Sequence, residues 1–438
     1  MNYRETCEYL FSQMPMFEKQ GASGYKEGLD NTLALDEHFG HPHLSYATIH
    51  VGGTNGKGSV SHTVAAILQE CGYRVGLYTS PHLVDFRERI RINGKPISEE
   101  YVTNFVEEER YFFEPLHPSF FEVTTAMALK YFKDNNVDIA VIEVGLGGRL
   151  DCTNIINPLV SVITNISFDH TKLLGNTISQ IAAEKAGIIK KGVPVVIGES
   201  DPESRPVFEA KAKEMDAPII FADDNPEVTS AELAKDGGVD FTTKHLGSLH
   251  TDLGGIYQIK NMNTVYFVLR VLMQQGYLAD AKKGNNYERC YYELAESLKN
   301  VCSMTGLQGR WQVVGSKPTV VCDTGHNLGG WQYLSRQLSQ QQCRQMHIVF
   351  GMVDDKDIEG VLNLLPKDAR YYFTKADSHR ALNEIVVKTL AERHGLKGEA
   401  FPTVKEAYQS AQKQAVPEDF IFVGGSSYVV GDFLKTCF

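Results

Sequence analysis

The chain has 438 residues, of which 42% are apolar and 22% charged, and its net charge is −11. The length favours two domains, and the negative charge argues against a protein that binds nucleic acid over a broad surface. No run approaches the roughly 18–20 apolar residues that cross a bilayer, and no secretory signal is evident, so we expect no membrane association. Eight scattered cysteines without a CxxC pair indicate reduced thiols in the cytoplasm.

The predicted elements alternate from about Tyr46 onward. Short β-branched runs predict strands, with helix-like segments between them; the strands are 47–51, 74–79, 138–145, 159–167 and 193–198. Continuous apolar strands separated by helices are typical of a mostly parallel sheet covered on both faces. The pattern therefore predicts an N-terminal α/β domain of the P-loop type.

Beyond residue 200 the pattern changes. Residues 200–257 predict small β elements and turns, a long helix follows over 257–276, and the glycine-rich stretch 304–312 predicts a domain junction. A second alternation then places strands in TVVCDT, HIVFGMV, RYYFTKA and DFIFVGG. We therefore predict two domains, residues 1–300 and 301–438, the second a smaller Rossmann-like α/β domain.

A glycine-rich loop joins the first predicted strand, 47–51, to a helix in the segment IHVGGTNGKGSV (49–60). Glycines allow successive backbone N–H groups to point at phosphate oxygens, and the helix N-terminus adds partial positive charge. Lys57 would contact the β- and γ-phosphates of ATP, and the Ser59 hydroxyl could bind Mg²⁺. The segment departs from the general GxxxxGK[ST] pattern, because Val51 and Gly58 stand where a glycine and a hydroxyl residue are expected.

Three further polar residues follow strands of the same predicted sheet. Glu143 lies near the carboxyl end of the strand in DIAVIEVG, His170 lies in NISFDHT beyond the next strand, and Ser80 lies in TSPHL. The carboxyl ends of parallel strands form the usual ligand crevice of an open α/β sheet. We therefore expect these side chains to meet near the loop, where Glu143 would occupy the position of a metal-binding acid.

The loop resembles that of the Mur-ligase superfamily, in its folylpolyglutamate synthase and dihydrofolate synthase branch. The resemblance extends over most of the chain and rests on GTNGKGS, TSPHLVDFRERIRING, SFFEVTTAMAL, IEVGLGGRLDCTN, FDHTKLLGNT and EKAGIIK. It implies an ATP-dependent, ADP-forming ligase of folate metabolism that adds L-glutamate to dihydropteroate or to a reduced folate through an acyl phosphate. It also implies a monomer that acts on small molecules.

The resemblance implies two Mg²⁺ sites. One would use Ser59 and Glu143 with the ATP phosphates, and the other Ser80, Glu143, His170 and Lys185. A protonated lysine cannot bind a cation, and the family's matching lysine is carbamylated, which turns it into a carboxylate. The alternative for Lys185 is an exposed helix lysine.

The resemblance also implies the remaining site residues. Arg310, in GLQGRWQ, and Asp323 and His326, in DTGHN, would close over ATP and the incoming amino acid. Asn261 matches an adenine-side asparagine, although Tyr257 stands where the family usually has histidine. The ATP-binding set is Gly53, Thr54, Asn55, Gly56, Lys57, Gly58, Ser59, Asn261, Arg310 and Asp323, and the catalytic set is Lys57, His170, Lys185 and His326.

The pteridine-bearing acceptor should lie against two short segments, which the family uses to contact dihydropteroate. An aromatic face can stack on a flat heterocycle, and an acid can bind its amino-pyrimidine edge. Aromatic core packing is the alternative for both phenylalanines. The segments comprise Ser119, Phe120, Phe121 and Glu122, and Leu150, Asp151 and Cys152.

Two other functions remain open at this point. The chain could be another amino-acid ligase of the superfamily that acts on a cell-wall precursor. It could also be a nucleotide-dependent regulatory protein with weak ATPase activity. A panel of acceptors would separate the first alternative, and nucleotide-dependent partner binding without ligation would favour the second.

Overall fold

The computed structural model describes residues 1–16, 28–278 and 287–437, with side chains in the helix that begins at Tyr287 described from Tyr292 onward. Three β-sheets with helices packed on them build this part of the chain. The predicted α/β fold, with a large, mostly parallel sheet first and a separate α/β sheet near the C-terminus, is confirmed.

The first sheet contains eight strands in the order β4-β3-β2-β5-β1-β6-β7-β8. Strands β2, β5, β1, β6, β7 and β8 are parallel, and β3 and β4 are added antiparallel at one edge. The strands are β1 (Ala47–Gly52), β2 (Val75–Tyr78), β3 (Ile90–Ile92), β4 (Lys95–Pro96), β5 (Ile139–Glu143), β6 (Val160–Ile163), β7 (Val195–Ile197) and β8 (Ile219–Phe221).

Both faces of this sheet are buried. Along β5, Ile139 and Val141 pack in one apolar core while Ala140 and Ile142 pack in another, because successive strand residues point to opposite faces. The helices of this region are α1 (Tyr3–Gln13), α2 (Asp30–His38), α3 (Lys57–Glu70), α4 (Glu99–Phe113), α5 (Phe120–Asp134), α6 (Thr171–Leu174), α7 (Ile178–Ala186) and α8 (Arg205–Glu214).

A small antiparallel sheet follows, with β10 in the middle: β9 (Val228–Leu233), β10 (Val239–Thr243) and β11 (Ser248–Thr251). The helices after it are α9 (Gln258–Gln274), α10 (Tyr287–Leu298) and α11 (Val301–Thr305). Helix α3 is buried from Gly58 to Leu68. Its apolar residues share one core with β1 and α9, so the loop that precedes α3 is held from several sides.

The third sheet has the order β12-β13-β17-β14-β15-β16, parallel except for β12. Its strands are β12 (Gln312–Ser316), β13 (Thr319–Asp323), β14 (Met346–Phe350), β15 (Arg370–Thr374), β16 (Lys397–Phe401) and β17 (Phe420–Gly424). Its helices are α12 (Leu328–Ser339), α13 (Ile358–Leu364), α14 (Glu384–Arg393), α15 (Val404–Gln414) and α16 (Ser427–Cys437). The sequence did not predict β12 and β16, because both are edge strands with mixed, partly exposed side chains.

The connection between the first and third sheets passes through α11. Val301 packs in the core that contains α3, whereas Trp311 packs in the core of the third sheet. The division at residues 300 and 301 stays a prediction. Across the described ranges, no helix is long and apolar enough to cross a membrane. No described cysteine is in a disulfide, and the side chain of Cys290 lies outside the described residues.

Candidate active site

A cavity of about 530 Å³ lies between the first and third sheets. Its wall combines the loop after β1, the carboxyl ends of β2, β5 and β6, and the loops after β13 and β14. Chain segments far apart in sequence therefore meet at one cleft. This is the position expected for a ligand in an open α/β sheet.

The loop between β1 and α3 is held in an open curve by its neighbours. Gly53 has φ +134°, and a Cβ there would lie 1.9 Å from Thr164 Oγ1. The Asn165 side chain accepts a hydrogen bond from the Asn55 backbone N–H at 2.9 Å. Helix α3 begins at Lys57 without a side-chain cap, so its first N–H groups are available to an anion.

Two lysines donate hydrogen bonds to backbone carbonyls of this loop. Lys57 Nζ donates to the carbonyls of Gly53 and Thr54 at 3.2 and 3.1 Å. Lys185 Nζ, on α7, donates to the same Gly53 carbonyl at 2.9 Å. Burial, followed by repulsion from Lys57, lowers the pKa of Lys185 to about 7. Lys185 is therefore a buried amine that is partly neutral near pH 7, and the exposed alternative is wrong.

Glu143 ends β5 beside the loop, with a side chain that is almost fully buried. Its Oε2 accepts the Ser80 backbone N–H at 3.4 Å. A Cβ on Gly58 would lie 4.0 Å from this oxygen and 3.2 Å from Arg310 Nη2, so both side chains flank the first turn of α3. Burial raises the pKa of Glu143 to about 7, although Lys57 and Arg310 oppose the shift. A nearby cation would stabilise the charged form of this buried carboxylate.

His170 and Ser59 complete this side of the cleft. His170 lies between β6 and α6 at φ +49°, and burial lowers its pKa to about 3. The neutral imidazole keeps a lone pair that can bind a metal. Ser59 Oγ is buried and accepts a hydrogen bond from Gln258 Nε2 at 3.3 Å. Within the described ranges, no group of three or more His, Cys, Asp or Glu side chains is arranged to hold a metal by itself.

The Glu143 carboxylate and the Ser59 hydroxyl fit a magnesium ion whose other ligands come mainly from a nucleotide and water. Mg²⁺ takes oxygen ligands and commonly uses one or two protein groups together with phosphate oxygens. Glu143 provides a buried carboxylate and Ser59 a hydroxyl, at the start of the helix where phosphates would bind. The residues present therefore match the chemistry of this ion.

The domain built around the third sheet, called the third-sheet domain below, contributes Arg310, Asp323 and His326 to the wall. Asp323 Oδ2 accepts the Tyr257 hydroxyl at 2.6 Å and the Trp311 N–H at 2.7 Å. Arg310 donates to the Thr324 hydroxyl. The structure therefore brings all three residues to the cleft that contains the loop.

Asn261 lies on the other flank of the loop, on α9. A Cβ on Gly56 would lie 2.3 Å from Asn261 Oδ1, and Asn261 Nδ2 donates to Gln258 Oε1 at 2.7 Å. Tyr257, which replaces the expected histidine, bridges to Asp323. The first turn of α9 thus touches both the loop and the third-sheet domain.

The predicted acceptor residues divide into two groups. One group lines the cavity, and it consists of Ser119, Phe121, Leu150, Asp151 and Cys152. Phe120 packs in the core beneath, and Glu122 is buried, where it accepts the Ser119 N–H at 2.5 Å. Asp151 accepts the N–H groups of Leu146 and Thr153 at 2.8 and 3.0 Å, so its carboxylate also shapes the loop.

Several residues in or beside the cleft were missed by sequence reasoning. Asp169 precedes the predicted His170, and Asn327 closes the DTGHN segment, so each stood beside a recognised signal. Gln258 lies within the predicted helix 257–276, and Asn165 lies within the predicted strand 159–167. Lys356, in the loop after β14, reaches the cleft only because the two domains dock, and nothing in its local sequence indicates this.

Two family descriptions match the chain. Residues 51–269 match the Mur ligase middle domain, and residues 309–427 match the Mur ligase glutamate ligase domain. Among curated proteins, the dihydrofolate synthase/folylpolyglutamate synthase of Bacillus subtilis is 32% identical, over 94% of this chain and 95% of that protein. A probable bifunctional folylpolyglutamate synthase/dihydropteroate synthase of Haloferax volcanii is also 32% identical, and this chain spans 50% of its length.

Solved structures with bound ligands share the fold. Escherichia coli FolC in complex with DHPP and ADP aligns with a TM-score of 0.81 and 29% identity, over 100% of this chain and 98% of that chain. A bifunctional folylpolyglutamate synthase/dihydrofolate synthase of Yersinia pestis, complexed with AMPPNP and Mn, aligns with a TM-score of 0.79, 29% identity and the same coverage. A structure of such an enzyme with Mn, AMPPNP and L-glutamate aligns with a TM-score of 0.79 and 28% identity, again over 100% and 98% of the two chains.

Proposed function

Since the chain belongs to the folylpolyglutamate synthase family of Mur ligases, we propose that it joins L-glutamate to the carboxylate of dihydropteroate or of a reduced folate. It is an ADP-forming carbon–nitrogen ligase that uses ATP and a divalent metal. The observation that carries this function is the meeting of Glu143, Arg310 and the first turn of α3 at one cleft. Here a triphosphate and a carboxylate can be held together.

The chemistry explains why these groups are needed. A carboxylate is a poor electrophile, so the γ-phosphoryl group of ATP is first transferred to it, which gives an acyl phosphate and ADP. The amine of glutamate then attacks the carbonyl carbon, the amide forms, and phosphate leaves while the amine loses its proton. Lys57 and Arg310 bring positive charge to the cleft, where a carboxylate and a triphosphate otherwise repel each other.

We assign the metal sites as follows. Ser59 and Glu143 would hold one Mg²⁺, and Ser80, Glu143, His170 and a carbamylated Lys185 would hold the second. Bound metal would polarise phosphoryl oxygens and neutralise developing charge. The buried carboxylate of Glu143 and the neutral imidazole of His170 support this assignment.

The carbamate on Lys185 is supported by the state of its amine. Carbamylation joins a neutral amine to CO₂ and releases one proton. Burial keeps much of Lys185 neutral near pH 7, whereas an ordinary lysine is almost wholly protonated there. As a free amine, Lys185 donates to Gly53 O; as a carbamate it would instead offer oxygen atoms to a metal.

ATP would occupy the loop and its two flanks. Residues Gly53 to Ser59 would surround the phosphates, Asn261 would lie on the adenine side, and Arg310 and Asp323 would close from the third-sheet domain. Lys57, His170, Lys185 and His326 are the proposed catalytic residues. The contacts of Asn261 and Arg310 with the edges of the loop support this placement.

The acceptor would enter beside Phe121. A Cβ on Gly145 would lie 2.4 Å from Phe121 Cζ, so the ring packs closely against the backbone, in a wall where a planar heterocycle could stack. Ser119, Leu150, Asp151 and Cys152 complete that end. We propose that Phe120 and Glu122 support this wall from behind.

The proposed division of labour follows the predicted domains. Residues 1–300 would bind ATP and the pteridine acceptor, and residues 301–438 would bind glutamate and close the cleft. We propose a monomer as the active unit.

One assay tests the function. Purified protein is given ATP, Mg²⁺ and glutamate, with dihydropteroate and tetrahydrofolate in parallel reactions, and ADP and amide product are both measured. We expect ADP release that depends on glutamate and on an acceptor. Absence of glutamate-dependent ADP release with either acceptor would contradict the proposal, and the pair of reactions shows which activities are present.

A further inference from the structure

The carboxylate of Asp169 joins the two sides of the cleft. Asp169 follows β6 of the first sheet and accepts hydrogen bonds from three residues of the third-sheet domain. Asn327 Nδ2 lies 3.1 Å from Asp169 Oδ2, and His326 Nε2 lies 3.3 Å from the same oxygen. Lys356 Nζ forms an ion pair with Oδ1. Both oxygens are thus directed at the opposite domain.

The ion pair is withdrawn from solvent. The side chains of Asp169 and Lys356 are 6% and 7% exposed. Surface ion pairs add little, but removing one partner of a buried pair leaves the other charge desolvated and unpaired. In a variant that lacks one partner, the remaining charge would be unpaired in the closed cleft but hydrated in an open one, so loss of either partner would favour opening.

Asn327 also connects Asp169 to the loop between β1 and α3. Its side-chain amide forms two hydrogen bonds with that of Asn55, at 3.1 and 3.0 Å. Its Oδ1 also caps α12 through the Gly330 N–H at 2.9 Å. Loop, Asp169 and the start of α12 are therefore connected through one buried amide.

We propose that Asp169 is a positioning residue that holds the third-sheet domain closed over the cleft while the activated carboxylate exists. The inference rests on the proposed function, because closure matters only if an acyl phosphate forms. In an open cleft, water would attack the acyl phosphate, and the original carboxylate and phosphate would be regenerated. ATP would then be consumed without formation of an amide.

The test measures how well ATP use is coupled to ligation. ADP and amide product are quantified in the same reaction for wild type, Asp169→Asn, Lys356→Met and the double variant. Lys375→Met is the matched control, since Lys375 pairs with Glu384 within the third-sheet domain. Thermal unfolding of each variant is recorded alongside.

The ratio of ADP to amide should be near one in wild type and in the control. In both single variants we expect it to rise several-fold, with kcat/KM for glutamate reduced about 10- to 100-fold. The double variant should be no worse than the more impaired single variant, because both substitutions remove one interaction. If Asp169→Asn does not fold, Lys356→Met carries the same test.

Two results would overturn the inference. One is a ratio near one in folded Lys356→Met. The other is uncoupling in Asp169→Asn alone, which would assign the effect to the adjacent His170. A wild-type protein that forms no amide would instead contradict the proposed function.

Discussion

Lys57 and Lys185 donate to the same carbonyl oxygen, that of Gly53, at 3.2 and 2.9 Å. Two ammonium groups on one acceptor repel each other, and the more buried one yields its proton more easily. Burial and then Lys57 lower the pKa of Lys185 to about 7. A partly neutral amine is the form of Lys185 that the proposed reaction with CO₂ requires.

Replacement of Lys185 by alanine should remove activity in a way that a small carboxylate can reverse. We expect kcat/KM to fall about 100-fold or more, because one metal would lose an oxygen ligand. Added acetate or formate should restore part of the rate. Lys191→Ala is the matched control, since Lys191 is exposed and lies close in sequence.

Rescue is measured as the rate of ADP release against acetate concentration. Chloride at equal ionic strength controls for a general salt effect. Full activity of the alanine variant without acetate would exclude a carbamate at this position.

Substitution of Gly56 by alanine should weaken nucleotide binding through a steric effect. The new Cβ would lie 2.3 Å from Asn261 Oδ1, at a residue with φ +86°. Gly72 has φ +89°, and a Cβ there would have no neighbour within 4 Å, so Gly72→Ala carries the same backbone strain without the contact. Titration calorimetry with ADP should show at least about 10-fold weaker binding for Gly56→Ala alone.

Equal affinity in the two glycine variants would show that Asn261 moves aside freely. In that case the asparagine would not define the wall beside the loop.

The sequence predicted local features of the site well. A strand, the glycine loop and α3 are contiguous, and Glu143 and His170 follow strands whose carboxyl ends must share an edge. Contacts across the cleft were not accessible, because the pairing of Asp169 with Lys356 depends on how two separate sheets dock. Phe120 and Phe121 also could not be distinguished, since adjacent helix residues differ in direction by about 100° and the wall position was unknown.

Glu143→Gln should remove metal-dependent activity while the fold persists. The amide is nearly isosteric but cannot attract a cation as the buried carboxylate does. We expect kcat/KM to fall about 100-fold or more and Mn²⁺ binding in the presence of ADP to weaken. Glu70→Gln, at the exposed end of α3, is the control and should behave as wild type. Unchanged Mn²⁺ affinity in Glu143→Gln would remove this residue from the metal site.

Phe120 and Phe121 should respond differently to leucine. Phe121 lines the cavity whereas Phe120 is 1% exposed in the core. Phe121→Leu should raise KM for the pteridine acceptor several-fold, because stacking is lost. It should leave KM for ATP unchanged. Phe120→Leu should instead lower the free energy of unfolding by about 1 kcal/mol or more. The reverse pattern would place the acceptor elsewhere.

His50 should make the fold sensitive to acid. It lies fully buried in β1, and its Nε2 donates to the Thr153 hydroxyl at 2.8 Å, since that hydroxyl donates to Asp151. Burial, with a smaller effect of Lys190, lowers the pKa of His50 from 6.5 to about 3. Between pH 6.5 and pH 3, His50 is protonated in the unfolded chain but neutral in the folded chain. The free energy of unfolding therefore falls as pH decreases below 6.5.

Replacement of His50 by glutamine should flatten this dependence. Glutamine can still donate to Thr153 but does not titrate. Urea unfolding at pH 7.5 and pH 5 should show that the free energy of unfolding falls by about 2 kcal/mol more for wild type than for His50→Gln over this interval. His379→Gln, at an exposed position, should follow wild type. The other buried histidines are common to all three proteins and cancel in the comparison, so parallel losses in His50→Gln and wild type would show that His50 accepts a proton in the folded state.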